Sequence, residues 1–80
     1  MERYFFDVED GGLTVDSEGR MLIGADAVAE AAMTTLLEAA KPKVVTNNER
    51  EVTVTVRNEA GDLVYRTLLT IKAGWVFDAR

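Results

Sequence analysis

Glu51-Val52-Thr53-Val54-Thr55-Val56-Arg57 alternates without a fault, with valines at the even positions and threonines or charges at the odd ones. Successive side chains of an extended strand leave on opposite faces, so the pattern predicts a strand with one dry face and one wet face. Asn58-Glu59-Ala60-Gly61-Asp62 follows, and its asparagine and glycine fit a type I turn closed by a left-handed glycine, the connection of a hairpin. That loop sets Val56 opposite Val64, Val54 opposite Arg66 and Val52 opposite Leu68. On the other face Thr55 meets Tyr65 and Thr53 meets Thr67. Leu63 to Ile71 then carries apolar residues on both faces. The valine face is the one a helix is expected to cover.

Upstream the period changes. Val28, Ala32, Leu36 and Ala39 or Ala40 recur every three or four residues from Ala25 to Lys41, with Ala29, Met33 and Leu37 on the flanks. This is the spacing of an amphipathic helix, and its many alanines give it high propensity and a slim profile against a sheet. Gly24 serves as N-cap, Ile23 before it is placed to staple onto the first turn, and Asp26 suits the positive end of the helix dipole. Lys41 and Lys43 suit the negative end, and Pro42 stops the helix. Val44 to Arg50 reads as a polar connection turning at Asn47-Asn48.

At the start of the chain, Arg3-Tyr4-Phe5-Phe6-Asp7-Val8 is a strand ended by the turn Glu9-Asp10-Gly11-Gly12. Tyr4, Phe6 and Val8 share one face; Arg3, Phe5 and Asp7 share the other. Leu13 to Asp16 returns as a short second strand. Asp16-Ser17-Glu18-Gly19 turns again, and Arg20 to Ile23 leads into the helix. Together these elements predict one α+β domain over residues 1–80, with one helix packed on one face of an antiparallel sheet of three or four strands, in the order β-β-α-β-β. Residues 72–80 form a C-terminal extension, either an added edge strand or an interface segment, because Trp75 and Phe77 are too apolar to be left in water.

Composition limits the chemistry. The chain has 80 residues, no cysteine and no histidine, which removes disulfides, thiolate metal sites and the commonest general base. Ser17, the only serine, lies in a turn without a partner base. Gly11-Gly12 does not open a helix, so a phosphate-cradling loop is unsupported. An enzyme is not expected, and no cofactor is implied. A net charge of −5 with no basic run argues against nucleic acid. The first residues lack the pattern of a secretory signal and no apolar run reaches membrane-spanning length, so the expected compartment is the cytoplasm, away from the membrane.

Two features remain as candidate sites. Asp7, Glu9, Asp10, Asp16 and Glu18 cluster around two turns, and a metal- or small-ligand-binding protein using these acids is the alternative reading, although their spacing does not match a calcium loop. Asp7 within an aromatic strand calls for a partner cation, with Arg3, Arg20 and Arg66 as candidates. The stronger feature is apolar. One helix covers one face, whereas Phe5, Leu63, Tyr65, Leu69 and Ile71 are expected on the other, with Trp75 and Phe77 following. Such a patch marks a protein interface: a small non-enzymatic binding or regulatory module that forms a homodimer or takes another protein, through the uncovered face or a strand edge.

The order of these motifs also resembles a family of short proteins of unknown function, found mainly in rhizobia and related alphaproteobacteria. The resemblance is carried by Arg3-Tyr4-Phe5-Phe6, Asp10-Gly11, Asp16-Ser17-Glu18-Gly19, the alanine-rich helix and Asn58-Glu59-Ala60-Gly61, over residues 3–71. It implies the same architecture, supplies no activity or site residues, and leaves the Trp75 segment outside.

Overall fold

In the computed structural model, which describes residues 1–41 and 49–76, the alternating segment lies inside a nine-residue strand, β4 (Glu49–Arg57). It is flanked by β1 (Glu2–Glu9) on one side and β5 (Leu63–Lys72) on the other, both antiparallel. Val52, Val54 and Val56 are wholly removed from solvent beneath the helix α1 (Ala25–Ala40). Val28, Ala31, Ala32, Leu36 and Ala40 of α1 and Phe6 of β1 complete the core. Burying a valine fully is worth about 1.5–3 kcal/mol, so this row anchors the domain. Phe6 lies opposite Val56 and Val8 opposite Val54, which sets Tyr4, Phe6 and Val8 on the helix side as the alternation requires. Phe5, Asp7, Thr55 and Arg57 share the open face.

The far edge of β1 is divided. Its C-terminal half pairs with β2 (Leu13–Thr14) and its N-terminal half with β3 (Arg20–Leu22). The segment read as a lead-in to the helix is therefore itself a strand. Since β2 and β3 are two halves of one edge, the order β-β-α-β-β holds, and the class is α+β. From Val8 to Tyr4 the inner strand takes four steps, while its partners take six, from Thr14 to Arg20. The excess bows outward between the two short strands.

Both helix ends are set by backbone chemistry. Gly24 caps the N-terminus at φ 87°, a conformation suited to glycine, with Asp26 in the first turn. At the other end Lys41 is exposed, and Arg50 from β4 reaches the last turn instead: its Nη1 donates to the Ala40 carbonyl at 3.1 Å. Arg50 is buried, so β4 begins two residues earlier than the valine–threonine pattern suggests, with a cation on its core face. Pro42, Lys43 and the Asn47-Asn48 turn lie outside the described residues.

One expectation is overturned at the hairpin. The loop itself is as read: Gly61 has φ 89°, Asn58 N–H donates to Asp62 O at 3.0 Å, and Arg57 faces Leu63. Beyond it the register slips, and Val56 faces Tyr65, Val54 faces Thr67 and Val52 faces Leu69. Val64 is the extra residue of a β-bulge. The physical reason is the charge on Arg66. Without the bulge Arg66 would lie opposite the fully buried Val54, where a guanidinium without a partner is costly. With it, Thr67 takes that place and Arg66 turns to the open face.

Candidate functional site

The acidic turns resolve into a tight network. Asp7, on the open face of β1, lies one step diagonally from Arg57 on β4. Arg57 Nε donates to Asp7 Oδ2 at 2.6 Å and Nη2 to Asp7 Oδ1 at 3.1 Å, a forked pairing. The same guanidinium lies 5.0 Å from the centre of the Phe5 ring. The partner of Asp7 is thus Arg57 rather than Arg3, Arg20 or Arg66. Asp16 closes the network, because its N–H donates to Asp7 Oδ1 at 2.9 Å and its carbonyl accepts from Arg57 Nη2 at 3.0 Å.

The Asp16 carboxylate organises the bow between β2 and β3. Oδ2 accepts from the Phe6 N–H at 3.0 Å, and Oδ1 accepts from the N–H groups of Glu18 and Gly19, each at 3.1 Å. The Phe6 N–H falls where β1 has lost its edge partner, so a side chain substitutes for the missing strand. The hydrogen bonds from Arg57 hold Asp7 below the usual carboxylate range, against the opposing effect of burial. For Asp16 burial acts to raise the value, yet the three backbone N–H groups outweigh it and the net shift is downward. Arg57 is shifted upward by Asp7. Gly19 has φ 72°, and a Cβ there would stand 2.8 Å from the Tyr4 carbonyl oxygen. An open hollow of about 490 Å³ borders the bow, lined by Phe6, Thr35, Arg20 and the turn residues.

In this arrangement both carboxylates are engaged within the fold. Asp7 and Asp16, the two acids a metal reading most needs, already have their oxygens committed to a guanidinium and to backbone donors. Among the described residues no group of three or more acids is placed to hold a cation.

The apolar residues divide differently from the expectation. Phe5 stays on the open face, half-buried under Arg57. Leu63, opposite Arg57, is exposed. Tyr65, Leu69 and Ile71 move to the helix face through the bulge, where Leu69 and Ile71 pack against the core. Trp75 is 79% exposed beyond the end of β5, and residues 73–76 add no strand. Phe77 lies outside the described residues. The open face is lined by threonines and charges together with Phe5, Leu63 and Leu68. It is not a continuous apolar patch.

What remains unpaired is an edge. Along the sheet the order is β2-β1-β4-β5, with β3 also on β1. One margin consists of strands of two and three residues interrupted by the bow. The other is β5, ten residues long, with no proline and with only β4 beside it among the described residues. Short or broken edges resist pairing with other chains, whereas long regular ones invite it. The two margins of this sheet are opposites in that respect.

A family model for a domain of unknown function, DUF6894, matches residues 3–70. The chain belongs to the DUF6894 family. Comparisons with curated proteins and with solved structures gave no match. The DUF6894 region takes in the Asp7–Arg57–Asp16 network and most of β5, and leaves Trp75 outside. No helix among the described residues is long and apolar enough to cross a membrane.

Sequence reasoning missed Arg57 and Arg50 as key positions, and read Asp16 as one acid of the turn cluster without its role as acceptor for three backbone N–H groups. Arg57 carried a signal, since it ends the wet face of a strand whose neighbour has an acid on the same face.

Proposed function

We propose that this DUF6894 domain is a non-catalytic binding module of the cytoplasm that self-associates through the free edge of β5, and that it belongs with the short rhizobial proteins its Arg3-Tyr4-Phe5-Phe6 opening resembles. The observation that carries this reading is the asymmetry of the sheet: one margin blunted by the bow at Val15–Gly19, the other long and regular. An unpaired strand presents a row of N–H and C=O groups, and a second strand satisfies them at once. Exposed apolar side chains beside that row, Leu68 on the open face and Tyr65 on the helix face, add area to the contact. A domain of this size without disulfides also gains from association, because its own core is small. The absence of histidine and cysteine, together with the commitment of Asp7 and Asp16 to structure, supports a role without catalysis. Light scattering over a concentration series tests it: the mass is expected to rise above the 8.8 kDa of a single chain. A mass that stays at that value up to high micromolar concentration refutes the proposal.

A further inference from the structure

The register of the edge contact can be taken further, resting on the self-association just proposed. We infer that β5 pairs with β5 of a second copy in antiparallel fashion, about a two-fold axis at Leu68 perpendicular to the sheet. An antiparallel pair of identical strands within one sheet requires that axis, and it keeps both helices on the same side. Residues facing one another must then share a face, so only a few registers remain. Beyond the bulge at Val64, the regular part of β5 runs from Tyr65 to Ile71, and Leu68 is its midpoint. An axis there places Tyr65 opposite Ile71, Arg66 opposite Thr70 and Thr67 opposite Leu69 of the second copy. Leu68, 55% exposed in the single chain, meets its own counterpart.

Neighbouring registers are worse on chemical grounds. An axis at Arg66 sets two guanidinium groups face to face. Moving it to Leu69 places Lys72 opposite Arg66. Like charges directly opposed across a strand pair are destabilising. With the axis at Thr67 the bulge enters the new ladder and Leu68 is left facing Arg66. At Leu68 no like charges oppose one another, and Lys72 approaches the Asp62 end of the second strand.

The helix adds to the contact. Ala31 and Thr34 border Arg20 and Leu22 on the β3 side of α1. At about 100° per residue, Met33 and Leu37 fall on the flank turned toward β5. Both are about half-exposed, at 47% and 53%. With the two helices on one side of the joined sheet, these flanks look toward each other across the junction. The partner that fits this surface is a second copy of the same chain.

The chain has no cysteine, so a spin label can be placed at a single introduced thiol. Lys72→Cys is exposed at the end of β5. Lys72 lies four residues from the axis, and at 3.3 Å rise per residue with strands about 4.8 Å apart, the two copies are expected about 27 Å apart. An axis at Thr67 gives about 33 Å and one at Leu69 about 20 Å. A dipolar distance near the first value supports the register. Either other distance, in a sample that scatters as a dimer, overturns the register and leaves self-association standing; absence of coupling in a monomeric sample overturns both. Leu68→Arg, at a position exposed in the single chain, is expected to weaken association on the order of ten-fold or more while leaving the circular dichroism unchanged. Unaltered association in that variant also overturns the register.

Discussion

Replacing Asp16 by alanine is expected to remove a large share of this domain's stability, and the structure fixes the reason. Its carboxylate accepts three backbone N–H groups, from Phe6, Glu18 and Gly19. The bonds to Phe6 and Gly19 are partly buried, so water restores them only in part. A net hydrogen bond is worth about 1 kcal/mol, and stranding a partly buried donor costs about 1–3 kcal/mol. Asp16→Ala is therefore expected to destabilise by about 2–3 kcal/mol, a large share of the roughly 4–12 kcal/mol available to a domain of this length. The melting temperature should fall by about 10–20 °C. Asp16→Asn separates the contributions. Its amide oxygen keeps the Glu18 and Gly19 bonds, while its NH₂ faces the Phe6 N–H, so a loss of about 1–1.5 kcal/mol is expected. Urea unfolding of the three proteins provides the assay, at a protein concentration held fixed because association also stabilises. If Asp16→Ala lies within about 0.5 kcal/mol of the parent, the carboxylate is not what holds the bow, and the account of the blunted edge is wrong.

Further outcomes follow from the same geometry. Asp7 and Asp16 are both depressed in the folded state, so the stability they contribute is present above the unfolded carboxylate value of about 3.9 and is lost as pH falls through their folded values. The urea midpoint should hold steady down to about pH 5 and drop below about pH 4, with a shallower drop in the Asp7→Asn/Asp16→Asn double variant; equal slopes would contradict this. Gly19→Ala combines a left-handed backbone with a contact at 2.8 Å, whereas Gly61→Ala meets nothing within 4 Å at a similar φ. The first should cost about 2–3 kcal/mol and the second about 1 kcal/mol, read by thermal unfolding. Arg50→Met keeps the buried stem and loses the bond to Ala40, so it should be more stable than Arg50→Ala by about 1–2 kcal/mol.

Much of the fold was legible because it rests on local patterns. Val52, Val54 and Val56 could occupy only one face, and the alanine period of α1 matched that face in length and profile. The hairpin loop was readable from Asn58 and Gly61. The register of β5 was not, because a bulge is decided by tertiary cost. Here that cost is the burial of Arg66, and the clue was present in the pairing of Arg66 with Val54. That one slip moved Tyr65, Leu69 and Ile71 to the helix side and dissolved the apolar open face into a polar one. Asp7 invited a partner from the sequence, but the partner came from the strand that β1 joins across 50 residues of chain, and strand order is not a local property. Arg50 looked like part of a loop because a cation breaks the valine pattern; the helix end that it satisfies becomes visible only once α1 lies across β4. The free edge itself has no residue signature. It is a consequence of β5 being last in the sheet among the described residues.

Hydrogen exchange over residues 63–72, followed in dilute and in concentrated protein, tests the central claim most directly. Among the described residues of a single chain no strand protects the outward N–H groups of β5, so pairing with a second copy must slow their exchange as concentration rises, while β4 stays protected throughout. Concentration-dependent protection confined to β5 is the predicted result. Exchange at β5 that is equally fast at every concentration would contradict it.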